Sequence, residues 1–170
     1  PSGKKYSSLK VKDIVFVSLD GKYEKKYKPS SEWRFHQDIY VKKKDAQAIV
    51  HTHSTNATAL SVHKKPIPAF HYMVALAGGN DIKCAKYATY GTRELSKNIL
   101  KALNNRKACL IANHGQIAFD SNLPDAFELA QEVENLSLQY ITALKLGKPK
   151  NLSDKEMNKV LKKAKNYKRG

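Results

Sequence analysis

Apolar residues recur along this chain in two rhythms, and the changes from one to the other mark out its elements. "DIVFVSLD" (13–20) is dense in β-branched and aromatic residues and runs into Asp20-Gly21. That pattern predicts a strand closed by a turn, with a hairpin into "KYEKKYK". "KPSSEWRFHQDIYVKKK" opens on Pro29 and paired serines. A helix of about three turns is expected there, capped by Ser30 or Ser31, with Trp33, Ile39 and Tyr40 facing inward. "AQAIVH" (46–51) predicts a short buried strand ending on His51. "STNATALSVHKK" (54–65) predicts a helix with Ser54 or Thr55 as cap and Ala57, Leu60 and Ser61 on one face, halted by "KKPIP".

"HYMVALAGG" (71–79) stops at its two glycines. In 91–105, Leu95, Ile99, Leu100 and Leu103 stand at helical spacing. "KACLIANHGQIAFD" (107–120) reads as strand, Asn-His-Gly turn, strand, with His114 at the tip. The longest helix is expected over 123–147, with Pro124 near its first position, an apolar stripe from Ala126 to Leu144, and Gly147 to close it. Ser153 and Glu156 frame a capping box ahead of a last, very basic helix. Strands alternating with helices make a layered α/β domain. There is no internal repeat and no linker, so residues 1–170 are expected to form one domain.

Charge changes this picture little. The net charge is +16, from 31 Lys and Arg against 15 Asp and Glu. The lysines are spread along the whole chain and no recognition motif accompanies them, so no specific nucleic-acid partner is expected. Such a field favours an anionic small substrate. Cys84 and Cys109 are too few for a disulfide framework and sit in apolar contexts, the pattern of reduced packing residues in a cytoplasmic protein. With no run of 18 apolar residues, no membrane association is expected. "PSGKKYSSLK" begins as though in the middle of a domain, and residues upstream of it are expected.

The chemistry lies in the histidines. His51 and His53 are two apart at a strand end, so both imidazoles share one face. They could bind one divalent metal or simply hydrogen-bond each other. His114 adds a third imidazole beyond another apolar strand, in a turn whose Gly115 permits close backbone approach. Three neutral histidines with a fourth position open is the pattern of a catalytic zinc. His36 falls inside a helix, His63 is expected at the surface, and His71 is undecided. "PSSEW" places Glu32, two hydroxyls and free N–H groups at a helix N-terminus. That arrangement suits a phosphate, and "PSG" at 1–3 could add a second turn to it. Equally, Ser30 could be a plain cap and Glu32 a partner for the helix dipole.

"SSEWRFH" at 30–36, "VHTH" at 50–53, "IPAFHYM" at 67–73, "AGGN" at 77–80, "YATYGTREL" at 87–95, "NRKACLIANHG" at 105–115 and "LSDKE" at 152–156 together resemble the class II aldolase and adducin family, nearly end to end. The resemblance implies a three-layer α/β/α fold with a central mixed, mostly antiparallel sheet. It implies His51, His53 and His114 as ligands of one Zn2+ per subunit, and Glu32 as catalytic acid/base. The related sugar-phosphate epimerases place Asp at that position, so Glu32 favours an aldolase. Ser2, Gly3, Ser30 and Ser31 match phosphate-binding positions. Tyr72 matches a tyrosine that reaches into the neighbouring subunit's site, and Tyr167 a tail tyrosine that closes over it. A homotetramer with shared sites is implied. The family's N-terminal helix and Gly-Asn-x-Ser strand-turn have no counterpart in this sequence. The implied reaction is reversible cleavage of a ketose 1-phosphate, of the L-fuculose 1-phosphate type, to dihydroxyacetone phosphate and a small hydroxyaldehyde of the L-lactaldehyde type. The alternatives are an epimerase or dehydratase on another sugar phosphate, a non-enzymatic adducin-like interaction domain, and a nucleic-acid binder suggested by the charge.

Overall fold

In the computed structural model, which describes residues 1–26 and 28–167 apart from the side chains of 165–167, a four-stranded sheet separates two layers of helix. The elements are α1 (Trp33–Lys42), β1 (Ala48–Thr52), α2 (Thr55–Ser61), β2 (Cys84–Ala85), α3 (Arg93–Ala102), β3 (Ala108–Ile111), β4 (Gly115–Asp120), α4 (Leu123–Lys145) and α5 (Asp154–Tyr167). Strand order is β1-β4-β3-β2. β4 runs antiparallel to both β1 and β3, while β2 lies parallel to β3. The sheet is therefore mixed and mostly antiparallel.

Every residue of β3 and β4 is buried, because helices cover both sheet faces. On one face, α2, α4 and the 3-10 helix Tyr72–Ala77 enclose Leu60, Ile67, Val74, Leu110, Val133 and Leu136. On the other, α1 and α3 enclose Phe35, Ile39, Leu95, Ile99, Cys109, Ile117 and Phe119. Local sequence explains the boundaries. Thr92 Oγ1 caps α3 by accepting from Leu95 N, and Asn122 Oδ1 caps α4 by accepting from Asp125 N, one residue before Leu123-Pro124. Gly78 ends the 3-10 helix at φ 91°. The Ser153 capping position is realised, since its hydroxyl accepts from Glu156 N.

Three expectations need correction. Residues 14–18 join no strand among the described residues, Val11–Asp13 is a 3-10 turn, and Leu19 and Asp20 belong to the turn that follows. The Asp20-Gly21 turn does form, with Gly21 at φ 83°, yet among the described residues no hairpin follows it. A strand needs a partner for its N–H and C=O groups, and alternation alone does not supply one. On α1 the residue facing inward is Phe35 rather than Tyr40, which is 38% exposed. Helix α1 also begins one to two residues later than a serine cap would place it: Ser30 Oγ accepts from Glu32 N, and Glu32 holds the N-cap position. Both cysteines are free thiols, Cys109 buried and Cys84 half-buried.

Candidate active site

Strand β1 carries His51 on its last turn of pleat, and His53 follows one residue beyond the strand. Their Nε2 atoms are 3.1 Å apart. His114 comes from the turn joining β3 to β4, where Asn113 takes the left-handed conformation at φ 53°. Because β1 pairs with β4, that turn lies beside the end of β1. The three imidazoles stand nearly edge to face, with centroids 4.8–5.0 Å apart. Glu32 reaches in from the start of α1. Its Oε2 lies 3.1 Å from His51 Nε2 and its Oε1 3.0 Å from His114 Nε2. One donor atom from each of Glu32, His51, His53 and His114 falls within 4.8 Å of all the others.

The tautomer of His51 follows from its neighbour. His51 Nδ1 is 2.7 Å from the Gln116 carbonyl, which can only accept. Nδ1 therefore carries the hydrogen and Nε2 presents a lone pair to the cluster. Although its side chain reaches solvent, partial desolvation lowers the His53 pKa and neighbouring His51 and His114 push it the same way, against an opposing effect of Glu32, so the neutral form is favoured. Burial opposes ionisation of Glu32, but the approach of His114 and His51 outweighs it and holds the carboxyl well below the usual range. His36, stacked on Phe35, is pushed down to about 4 by burial and then by His51, against an opposing effect of Glu32. It stays neutral and stands outside the donor set.

The donor set fits a divalent cation. Glu32 Oε1 is buried and 3.0 Å from a histidine nitrogen, yet it makes no well-aligned hydrogen bond. A buried carboxylate oxygen without a partner is costly. One donor atom from each of the four side chains lies within 4.8 Å of the others, and a cation among them would satisfy them all. Three imidazole nitrogens and one carboxylate oxygen suit a metal of borderline softness. The sequence placed the acid beside an open fourth position; the geometry sets its carboxylate among the three imidazoles, within reach of the same centre.

The other site expectations fare differently. Ser30 and Ser31 flank Glu32 as expected, and Gly91 packs so tightly on the Ser31 carbonyl that a Cβ there would sit 2.9 Å from it. Ser2 and Gly3 form a separate turn, Gly3 at φ 76°, and no hydrogen bond or ion pair ties them to Ser30 or Ser31 among the described residues. Tyr72 starts the 3-10 helix, is 53% exposed and stands outside the histidine cluster. Tyr167 ends α5, and its side chain lies outside the described residues. His71 is a satisfied cap, its Nδ1 accepting from Met73 N, and His63 is exposed. Two contributors escaped the sequence reading: Gln116, whose carbonyl orients His51, and Ser61, whose hydroxyl accepts from His114 N at 3.3 Å. The first acts through its main-chain carbonyl, so no residue type in the sequence signals it.

Residues 1–141 match the family model described as the class II aldolase and adducin N-terminal domain. The chain belongs to the class II aldolase and adducin family. It is 50% identical over 167 residues to the 5-methylthioribulose-1-phosphate/5-deoxyribulose-1-phosphate aldolase of Rhodospirillum rubrum, a match spanning 98% of this chain and 76% of that protein. It is also 50% identical over 168 residues to the L-fuculose phosphate aldolase of Escherichia coli K12, covering 98% and 78%. A solved L-fuculose 1-phosphate aldolase superposes with a TM-score of 0.93 at 43% identity, covering 97% of this chain and 78% of that one. The protein is thus a class II aldolase, a carbon–carbon lyase, with the three-layer fold of its relatives. No helix among the described residues is long and apolar enough to cross a membrane.

Proposed function

We propose that this class II aldolase cleaves a ketose 1-phosphate, of the L-fuculose 1-phosphate type, into dihydroxyacetone phosphate and a small hydroxyaldehyde of the L-lactaldehyde type. The observation that carries the reading is the convergence of Glu32, His51, His53 and His114 on one point. His51, His53 and His114 would hold Zn2+ there, which supplies a Lewis acid for the charge developing beside the ketone. Cleavage breaks the bond between the hydroxyl-bearing carbon next to the ketone and the carbon after it. The electron pair stays on the first carbon as an enediolate, and the second leaves as the aldehyde once its hydroxyl loses a proton. Glu32 delivers the proton that turns the enediolate carbon into a hydroxymethyl group, and removes it in the reverse direction. With the metal held by the three histidines, Glu32 would be left free for this proton transfer once substrate is bound.

Ser30 and Ser31, at the start of α1, with Ser2 and Gly3, bind the phosphate and so position the reacting carbon. Tyr72, half exposed, reaches across to the site of a neighbouring subunit and exchanges the aldehyde-side proton, with Tyr167 closing over the site. The working form is a cytoplasmic homotetramer. The relatives named for fuculose phosphate and for 5-deoxyribulose 1-phosphate share one scheme, so the aldehyde end is where substrates differ. An intact donor cluster argues against the non-enzymatic adducin-like alternative, and Glu rather than Asp at position 32 against the epimerase.

The deciding assay is a cleavage panel of L-fuculose, 5-deoxyribulose and 5-methylthioribulose 1-phosphates with metal content measured alongside. Cleavage of none of them would overturn the assignment. His51→Ala is expected to lose both zinc and turnover, and full zinc occupancy would remove His51 from the ligand set. Glu32→Gln is expected to keep zinc on the three histidines but lose proton exchange on dihydroxyacetone phosphate, followed by NMR in deuterated water; undiminished exchange rules Glu32 out as the base.

A further inference from the structure

Two of the three site histidines are attached to opposite ends of the short helix α2. His53 precedes it by one residue, Ser54. At the far end, Ser61 Oγ accepts from His114 N and the Ser61 carbonyl accepts from Asn113 N, each at 3.3 Å. The placing of α2 therefore sets His53 and His114 against each other. Yet α2 has no local cap: Ser54, at the N-cap position, makes no side-chain bond to the helix, unlike Thr92 at α3 and Asn122 at α4. Instead Ser54 Oγ accepts from Gln116 Nε2 at 3.0 Å.

The missing cap comes from α4. Glu134 Oε1 accepts from Asn56 N and Asn56 Nδ2, and Oε2 from Ala57 N, all at 2.8 Å. Burial opposes ionisation of Glu134, but these N–H groups outweigh it and keep the carboxyl charged. His53 lies one residue beyond the strand and its side chain is exposed, so strand pairing does not hold it; its neighbours are Gly115 and the other two imidazoles. We infer that Glu134 is a positioning residue of the metal centre: from α4 it pins the N-terminus of α2, and so fixes the separation of His53 and His114 without touching either. The inference rests on the cluster being the metal site proposed above.

The test is Co2+ affinity by chelator competition, with the visible absorption of the bound ion reporting ligand geometry. Partners outside the ligand set typically change metal affinity by about 10–100-fold. Glu134→Ala is expected to weaken Co2+ by about tenfold or more and to alter the absorption band. Glu134→Gln, which retains one acceptor for Asn56, falls between it and the wild type. Val133→Ala removes a fully buried neighbour on the same helix and serves as the matched control. It is expected to lower thermal stability while leaving affinity and band unchanged. The inference is overturned if Glu134→Ala binds Co2+ within twofold of wild type with the same band, or if Val133→Ala loses as much affinity. If the wild type and His51→Ala bind Co2+ alike, the metal-centre reading fails first and takes the inference with it.

Discussion

Substituting Gly115 by alanine tests the site's architecture most directly. Gly115 opens β4, next to His114, and its backbone has no need of a left-handed conformation. What it needs is room. A Cβ there would sit 2.4 Å from the Thr52 carbonyl oxygen, 3.1 Å from His53 Cδ2 and 3.2 Å from His53 Cα. Non-bonded contacts of this kind relax to about 3.5 Å, so the end of β1 must retreat by roughly 1 Å. The obstructing atom is main chain, so no rotamer change relieves it. Overpacking of this sort costs about 1–3 kcal/mol, which for a chain of this size lowers the thermal midpoint by roughly 2–4 °C per kcal/mol. The larger effect falls on the site, because the moving atoms carry His53. A displacement of about 1 Å can cost roughly 100-fold in activity when it misplaces a catalytic constellation. Gly115→Ala is therefore expected to fold and to lose several degrees of stability. Its zinc affinity in a chelator-competition titration should fall by at least about tenfold. A variant with wild-type zinc affinity and an unchanged thermal midpoint would refute the account of β1 pressed against the turn.

Two further perturbations address stability. Glu134→Gln should be less stable than wild type at pH 7 by about 1.5–3 kcal/mol, the worth of hydrogen bonds to a charged acceptor. A folded-state pKa below the unfolded value of about 4.3 stabilises above that value. The gap should therefore shrink as pH falls through the folded pKa, and urea midpoints of both proteins from about pH 7 to about pH 3 would show it. A gap independent of pH would mean that the charge does no stabilising. Arg106→Ala should cost about 2–4 kcal/mol in urea unfolding while leaving zinc affinity unchanged. Its guanidinium bonds Asp81 Oδ1 at 2.6 and 2.9 Å, Asn80 Oδ1 at 2.9 Å and the Asn105 carbonyl at 2.9 Å, and Gly79 is the space it occupies. A loss of zinc affinity in this variant would show that the loop couples to the site.

Periodicity made the helices legible where one face is buried by packing. Leu95, Ile99 and Leu103 are all fully buried, as are Val133 and Leu136 of α4 to within 1%. The hairpin of β3 and β4 was legible because "ACLIA" and "IAF" are apolar on both faces and Asn113 accepts the left-handed turn between them. Residues 13–20 show where alternation stops short of a strand. Their alternation is real: Ile14 and Phe16 are 63% and 90% exposed, while Val15 and Val17 are half-buried. Alternation records the capacity to pair, and pairing depends on a second segment that local sequence does not specify. Tyr40 misled for a similar reason, since three inward candidates on α1 satisfied helical spacing and only the position of α3 decides between them.

The histidine cluster was legible and its supports were not, because imidazoles announce their chemistry by type whereas a carbonyl or a distant cap does not. Gln116 acts through its main chain on a residue 65 positions away, and Glu134 caps a helix 78 positions away. Glu32 shows how geometry separates readings that spacing leaves equal. As a dipole partner it would turn its carboxylate toward the free N–H groups of α1. It occupies the N-cap position but makes no capping bond, and the serine two residues earlier bonds its N–H instead. Its carboxylate is turned onto His51 and His114. The helix start is served by the Ser30 hydroxyl, and the Glu32 carboxylate is buried among the histidines instead. A carboxylate placed against local helix-start chemistry in this way is the arrangement expected where a residue serves a site rather than its own element.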